Sequence, residues 1–426
     1  MRRVALCVAA VVLTALPARA DRILYATANA QDNLSANRVD GFCLRGDGEL
    51  APTPTHRASV NGLLPRRLLV RNNAASGIAE VLYVAERDRV EAYAIKPGGG
   101  LDRIGTTRLL DQMIPRDLAL SADNRILYVP QPLRNRVLSY PLNDDGSPKN
   151  IADDDPTLTC VQGQAASKYD NVIASGNRLY VSAPGTNRIE VFALAADGKI
   201  ESGVINSDGT TGPALSGSTC LKAVRDTTPV TSVLSTRTRL QGARSILLNG
   251  NVLFVEERFV KRVSTFALTA DGLFDPAVPV DKKQKDKLQQ RRGRTAKDSG
   301  YDALLIFPPA TVSPPPTALT LYGTQFFHGR IDAFAIPAGG QLPMRPDPPL
   351  KVKVRTKEDL KTSPVRMIAA DATLYVAGGS LDRIQAYRIR TADGMLKSTT
   401  PFSRTDEQKG SFPNDVAIAV LSGNCD

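Results

Sequence analysis

The chain has only two histidines, His56 and His328, so a side chain that titrates near neutral pH without help is scarce. His328 sits in Phe326-Phe327-His328-Gly329, and the paired carboxylates Glu256 and Glu257 end an apolar run ahead of Arg258. These three are the candidate general bases for activating a water. Arginines stand at the start of other apolar runs: Arg66 and Arg67, Arg116, Arg244 and Arg366. A guanidinium presents a planar fork of donors that fits a carboxylate or phosphate. The five are therefore candidate ligand-binding residues for a small anion, with Arg116 or Arg244 placed to steady an oxyanion. The structural alternative is that they pair with Asp117, Asp170, Asp302 and Asp415, since buried charges are normally paired. For His328 the alternative is an ordinary loop residue. No Ser-His-Asp constellation is evident, no Cys-x-x-Cys pair occurs, and two histidines make a zinc site a poor fit. No metal and no cofactor are expected.

Arg2 and Arg3 precede an apolar run from Val4 to Leu16, and Pro17-Ala18-Arg19-Ala20 ends in the Ala-x-Ala pattern of a secretory signal. The run is shorter than the ~20 residues that span a bilayer. Residues 1–20 are read as a signal peptide cleaved after Ala20, leaving an exported chain, periplasmic or secreted, with no membrane span. Cys43, Cys160, Cys220 and Cys425 remain after Cys7 is lost, and an even number in an oxidising compartment implies disulfides. The formal charge is +11, but eight basic residues and two acids fall between Asp281 and Lys297. The basic balance belongs to an insert at about 281–297, read as a solvated loop, and argues against a groove for nucleic acid.

These residues are placed by a repeat. Arg, Val or Ile, two residues, then Phe or Tyr occurs seven times: Arg38-Phe42, Arg89-Tyr93, Arg136-Tyr140, Arg188-Phe192, Arg262-Phe266, Arg330-Phe334 and Arg383-Tyr387. An aromatic strand precedes each copy, with Tyr25, Tyr83, Tyr128, Tyr180, Phe254, Tyr322 or Tyr375 in it. A glycine turn follows each copy, such as Asp47-Gly48, Asp145-Gly146 or Gly339-Gly340, supplying the positive φ that hairpin turns require. One more apolar strand comes before each aromatic one, beginning near Leu68, Leu118, Val172, Ile246, Leu304, Met367 and Val416. Four strands, A to D, per unit of about fifty residues make a propeller blade. The expected fold is all-β, one seven-bladed β-propeller domain over residues 21–426. The chain opens on a B strand and ends on an A strand, so the N-terminal strands B–D and the C-terminal strand A should share one blade and close the ring. Cys43 and Cys425 both fall in that blade and are expected to be joined, with Cys160 and Cys220 forming the other bridge.

Leu-Tyr-Val strands followed by Arg-Ile-x-x-Phe/Tyr and Asp-Gly-x-Leu, clearest from Leu179 to Ile200 and from Leu374 to Leu396, resemble the seven-bladed lactonase-like propellers. That family includes 6-phosphogluconolactonase and carboxymuconate-cyclising enzymes, and its Tyr-Val-type repeats also serve as binding modules. The resemblance covers the whole chain after residue 20 and implies lactone hydrolysis. The family's His-rich strand start and Gly-Asp loop correspond to Ile114-Pro115-Arg116-Asp117 and Pro130-Gln131-Pro132-Leu133, which keep neither feature.

In such a fold the A strands line a central channel. Their first residues ring one mouth: Arg66, Arg116, Asp170, Arg244, Asp302, Val365 and Asn414, with Arg67, Asp117, Asn171, Ser245, Ala303, Arg366 and Asp415 one position further in. The B–C loops add Glu86, Arg87, Glu256, Glu257 and His328 to the same face. Two functions follow. One is an exported lactonase-like hydrolase acting on a small anionic lactone at the mouth; the other is a non-catalytic propeller binding a protein or small ligand. A monomer is expected. The seven strand-C arginines are read as structural.

Overall fold

The computed structural model describes residues 21–30, 37–108, 115–149, 159–162, 168–201, 221–222, 242–257, 262–274, 303–307, 319–325, 330–336, 350–352, 364–378, 383–391, 394–398, 400–405 and 411–425. The signal at 1–20, the insert at 281–297, His328, Asp302 and Cys220 lie outside the described residues.

The described residues form strands in seven sheets, antiparallel but for one pair, with no helix among them. The second sheet shows the plan: Arg67–Asn72, Ala79–Ala85, Arg89–Ile95 and Leu101–Arg108 pair in sequence order. The third runs from Ala119–Leu120 through Ile126–Gln131 and Arg136–Pro141 to Thr159–Gln162, the sixth from Ala303–Phe307 to Leu350–Val352, and the seventh from Pro364–Ala370 to Ser403–Arg404. Among the described residues the fourth (Val172–Ser175, Arg178–Ala183, Arg188–Ala193) and the fifth (Ala243–Asn249, Val252–Glu257, Arg262–Ala267) have three strands each. The third sheet carries one strand more than expected, Leu221–Lys222, parallel to Thr159–Gln162. The A strand of the fifth starts at Ala243 instead of near Ile246, because an irregularity in register between those two residues lets the pairing continue outward.

In the first sheet Arg22–Ala30 pairs with Arg38–Leu44 on one side and with the C-terminal strand Val416–Val420 on the other, from Arg22↔Val420 to Ala26↔Val416. Cys43 and Cys425 are joined there, with 5.6 Å between their Cα atoms. Thr159–Gln162 holds Cys160, and the pairing of Val161 with Leu221 starts one residue beyond each of the other two cysteines.

Seven apolar clusters each bridge two sheets. Tyr25 and Val39 of the first pack with Leu82 and Val84 of the second, Tyr83 with Leu127 and Val129 of the third, and Tyr128 with Leu179 and Val181 of the fourth. Tyr180 packs with Leu253, Phe254 with Leu321, Tyr322 with Leu374, and Tyr375 with Leu24 and Phe42, back in the first sheet. Each B strand is thus covered on both faces, and Ile126–Gln131, Arg178–Ala183, Val252–Glu257 and Thr373–Gly378 are buried along their whole length. Alternation fades in such strands for the same reason it fades in parallel sheets packed on both sides.

The repeated tyrosine has a second task. Tyr25, Tyr83, Tyr180 and Tyr375 donate their hydroxyls to the carbonyls of Gly99, Gly146, Gly272 and Gly48 at 2.7, 2.7, 2.7 and 2.8 Å, and Tyr128 and Tyr322 do the same to Gly198 and Gly394. Each acceptor is the turn glycine of the next sheet. Gly146 shows why glycine is required: its φ is 83°, and a Cβ there would lie 2.7 Å from Val81 Cγ2. Tyrosine fits because its ring fills the space between sheets while its hydroxyl meets a carbonyl at the rim.

Candidate functional site

The first residues of the inner strands meet, and two rows separate by their partners. In the deeper row Arg67 lies between two carboxylates, with Nε 2.6 Å from Asp117 and Nη1 3.1 Å from Asp415. Burial pulls this guanidinium down, but Asp415 and Asp117 outweigh burial and hold it above its ordinary value. The same carboxylates finish the backbone of the neighbouring sheet: Asp415 Oδ2 accepts from Leu68 N–H at 2.7 Å, and Asp117 Oδ2 from Val172 N–H at 3.2 Å. Asn171 Oδ1 accepts from Ile246 N–H in the same manner, at 3.3 Å. This row satisfies inner-strand amides that have no further strand to pair with. Arg366, also in this row, has no hydrogen-bond or ion-pair partner among the described residues and is held below its ordinary value by burial and then by Arg67.

The outer row is less balanced. Asp170, almost fully buried, lies 3.5 Å from Arg116 Nη1 and 3.3 Å from Arg244 Nε. Arg66 joins them without an ion pair among the described residues. Burial lowers its guanidinium, followed by the like charges of Arg116, Arg87 and Arg244. Asp170 thus serves two guanidiniums, with Arg66 and Arg87 close to them.

Hydroxyls one layer behind tie these strand starts together, two residues beyond the B-strand aromatic. Thr27 Oγ1 accepts from Asn414 and Asp415 N–H at 2.9 and 3.1 Å. Ser182 Oγ accepts from Asn171 N–H at 2.9 Å and donates to Arg244 O at 2.7 Å, and Thr324 Oγ1 bridges Ala303 N–H and Val365 O. The sequence reading passed over these residues, though their constant offset from the aromatic is visible in it. In the fifth sheet that position is Glu256, whose Oε2 accepts from Ser245 N–H at 3.4 Å. Glu256 thus stands beside the strand start that carries Arg244. Glu257 points to the other face, where Ser264 donates to it. Both glutamates are fully buried.

The strand-C arginines are engaged nearby: Arg38 with Asp40 at 2.8 Å, Arg89 with Asp88 at 2.8 Å, and Arg136 with Gln131 at 2.5 Å. Among the described residues no three His, Cys, Asp or Glu side chains gather in a way that would hold a metal ion, and no helix is long and apolar enough to cross a membrane.

Residues 81–214 match the family model of the lactonase, 7-bladed beta-propeller. In fold the chain is similar to the lactonase-type propellers. The periplasmic gluconolactonase of Pseudomonas aeruginosa superposes with a TM-score of 0.64 at 17% identity, covering 94% of this chain and 99% of that one. A putative 6-phosphogluconolactonase from Bacteroides fragilis gives 0.61 at 16% identity over 94% and 98%, and one from Bacteroides uniformis 0.60 at 15% over 94% and 99%. No curated protein matches the sequence. At these identities the likeness concerns the propeller and leaves the chemistry to the site.

Proposed function

We propose that this propeller is an exported lactonase-like hydrolase that takes a small anionic lactone at the mouth ringed by Arg66, Arg116, Arg244 and Arg366. The observation that carries the reading is the crowding of guanidiniums in the outer row, where Arg66 has no ion pair among the described residues while Asp170 serves Arg116 and Arg244. A bound anion supplies the missing negative charge. Glu256 or His328 takes a proton from water as its oxygen bonds to the lactone carbonyl carbon, and Arg244 or Arg116 faces the developing oxyanion. The ring C–O bond then breaks and the ring oxygen receives the proton, giving a hydroxy acid. Arg67 belongs to the frame in this scheme, and Glu257, turned toward Ser264, is set aside in favour of Glu256. A closed ring of seven blades over residues 21–426, with the two chain ends sharing a blade, is the scaffold.

The test is turnover of gluconolactone, 6-phosphogluconolactone and related lactones by the native chain, the double variant Arg116→Met/Arg244→Met, Glu256→Gln and His328→Ala. The double variant is expected to lose about 100-fold or more, and whichever of the last two removes the base a similar factor. A native protein that opens no lactone yet binds the hydroxy acids would support the second reading, a non-catalytic binding propeller, which the complete burial of Glu256 favours.

A further inference from the structure

The residue that precedes Arg87 carries a carboxyl group that plays no part in this scheme. Glu86 follows the strand Ala79–Ala85 and is fully buried. Neither of its oxygens has a hydrogen-bond partner among the described residues, and Arg89 Nε lies 4.0 Å away. The adjacent Glu91, equally buried, takes the donors. Asn61 Nδ2 and Arg103 Nη1 donate to its Oε1 at 3.2 and 3.3 Å, while Asn61 N–H at 3.3 Å and the Tyr93 hydroxyl donate to its Oε2. Glu91 thus takes donors from Asn61, Tyr93 and Arg103, and none of them reaches Glu86. A second negative charge on Glu86 would sit beside Glu91 and Asp88 with no donor of its own, and burial first, then Glu91, push its carboxyl up to about 9.

The Glu86 carboxyl fills the space that a side chain at position 62 would need, since a Cβ added at Gly62 would lie 1.3 Å from its Oε2. The segment at 61–64 is the strap that leads into Arg66. Its Leu63 N–H donates to Asp88 Oδ1 at 3.1 Å, and its Leu63 carbonyl accepts from Arg87 N–H at 2.6 Å. Arg66 N–H in turn donates to the carbonyl of Ala85 at 2.8 Å, next to Glu86. The backbones of both arginines are therefore fastened around this carboxyl.

We propose that Glu86 is a positioning residue for Arg66 and Arg87 that holds the strap closed as an uncharged carboxylic acid. Ionising it places a charge against Glu91 and Asp88, with only Arg89 near enough to offset it. The strap over Gly62 then lifts to admit water, and the two guanidiniums lose their place. This makes anion binding sensitive to alkaline pH far below the range in which arginine itself titrates. The inference rests on the mouth being an anion site.

The experiment measures gluconate affinity by calorimetry from pH 7 to 10, where the charge of gluconate is constant, for the native chain, Glu86→Gln and Arg116→Met/Arg244→Met. The native chain should lose affinity by about fivefold or more across that range, while Glu86→Gln matches it within about twofold at pH 7 and keeps its affinity to pH 10. Parallel decline of the two, or a folded Glu86→Gln already weak at pH 7, overturns the proposal. Undiminished binding by the arginine double variant instead overturns the anion reading of the mouth. Carboxyl carbon-13 NMR on the native chain decides the protonation state without ligand: titration of Glu86 near 9 supports the proposal, and titration at the ordinary carboxylate value of about 4.5 refutes it.

Discussion

Neighbouring arginines at the mouth have opposite energetic roles. Arg67 neutralises Asp117 and Asp415, so Arg67→Met strands two buried carboxylates and should cost about 3 kcal/mol in chemical denaturation. Arg66 pairs with nothing among the described residues and faces like charge, so Arg66→Met should leave stability unchanged or raise it while weakening anion binding. Equal losses for the two variants would contradict the division into a structural and a functional row. Glu86 adds a pH dependence. Its folded-state value is about 9 against an ordinary 4.5, so the folded chain keeps a proton that the unfolded chain releases. The stability contributed by this group is complete below pH 4.5 and is lost as pH rises toward 9. Glu86→Gln removes that slope, and its advantage over the native chain in urea melts should grow between those two values.

At the scale of elements, the tyrosine-to-glycine hydrogen bond ties six of the seven sheets to the next one. The B-strand tyrosine reaches the turn of the next sheet, and Tyr375 reaches Gly48, joining the seventh sheet to the first. Tyr83→Phe keeps the ring in its cluster and deletes the bond to Gly146 together with the hydroxyl's contact to Arg71. A loss of about 1 kcal/mol is expected, with the carbonyl free to find water at the rim. Phe254 shows that the ring alone is tolerated, since it is fully buried at the equivalent position. A loss several times larger would mean that the hydroxyl organises the turn as well as bonding to it.

For the whole molecule the decisive contact is between the chain ends. Val416–Val420 completes the first sheet beside Arg22–Ala30, and the Cys43–Cys425 bridge spans 382 residues of sequence. Closing so long a loop restricts the unfolded chain by up to ~5 kcal/mol in the chain-entropy view. Cys43→Ala/Cys425→Ala should therefore unfold at clearly lower denaturant concentration with the same native circular dichroism. An unchanged midpoint would show that strand pairing alone fixes the closure. Peptide mapping of the unreduced protein tests the companion bridge, Cys160 to Cys220, by the presence or absence of the linked fragment.

Much of this was legible without coordinates because it is local and periodic. Seven Arg-x-x-x-aromatic copies, the aromatic strand before each and the glycine after it mark hairpins whose spacing admits few architectures, and a chain that opens on a B strand and ends on an A strand invites the pairing that joins Cys43 to Cys425. That the strand starts of Arg67, Asp117 and Asp415 meet, and those of Arg116, Asp170 and Arg244, also followed in outline, because strand starts at equal offsets converge. Which arginine has a carboxylate did not follow. Arg66 and Arg67 are adjacent in sequence, yet consecutive strand residues point to opposite sides, and the carboxylates that pair with Arg67, Asp117 and Asp415, come from other sheets. Glu86 was visible as a loop residue at the mouth. The proposal that it is an acid kept neutral rests on its burial beside Gly62 and on the donors taken by Glu91 and Asp88, because burial and hydrogen-bond supply are set by segments far apart in the chain.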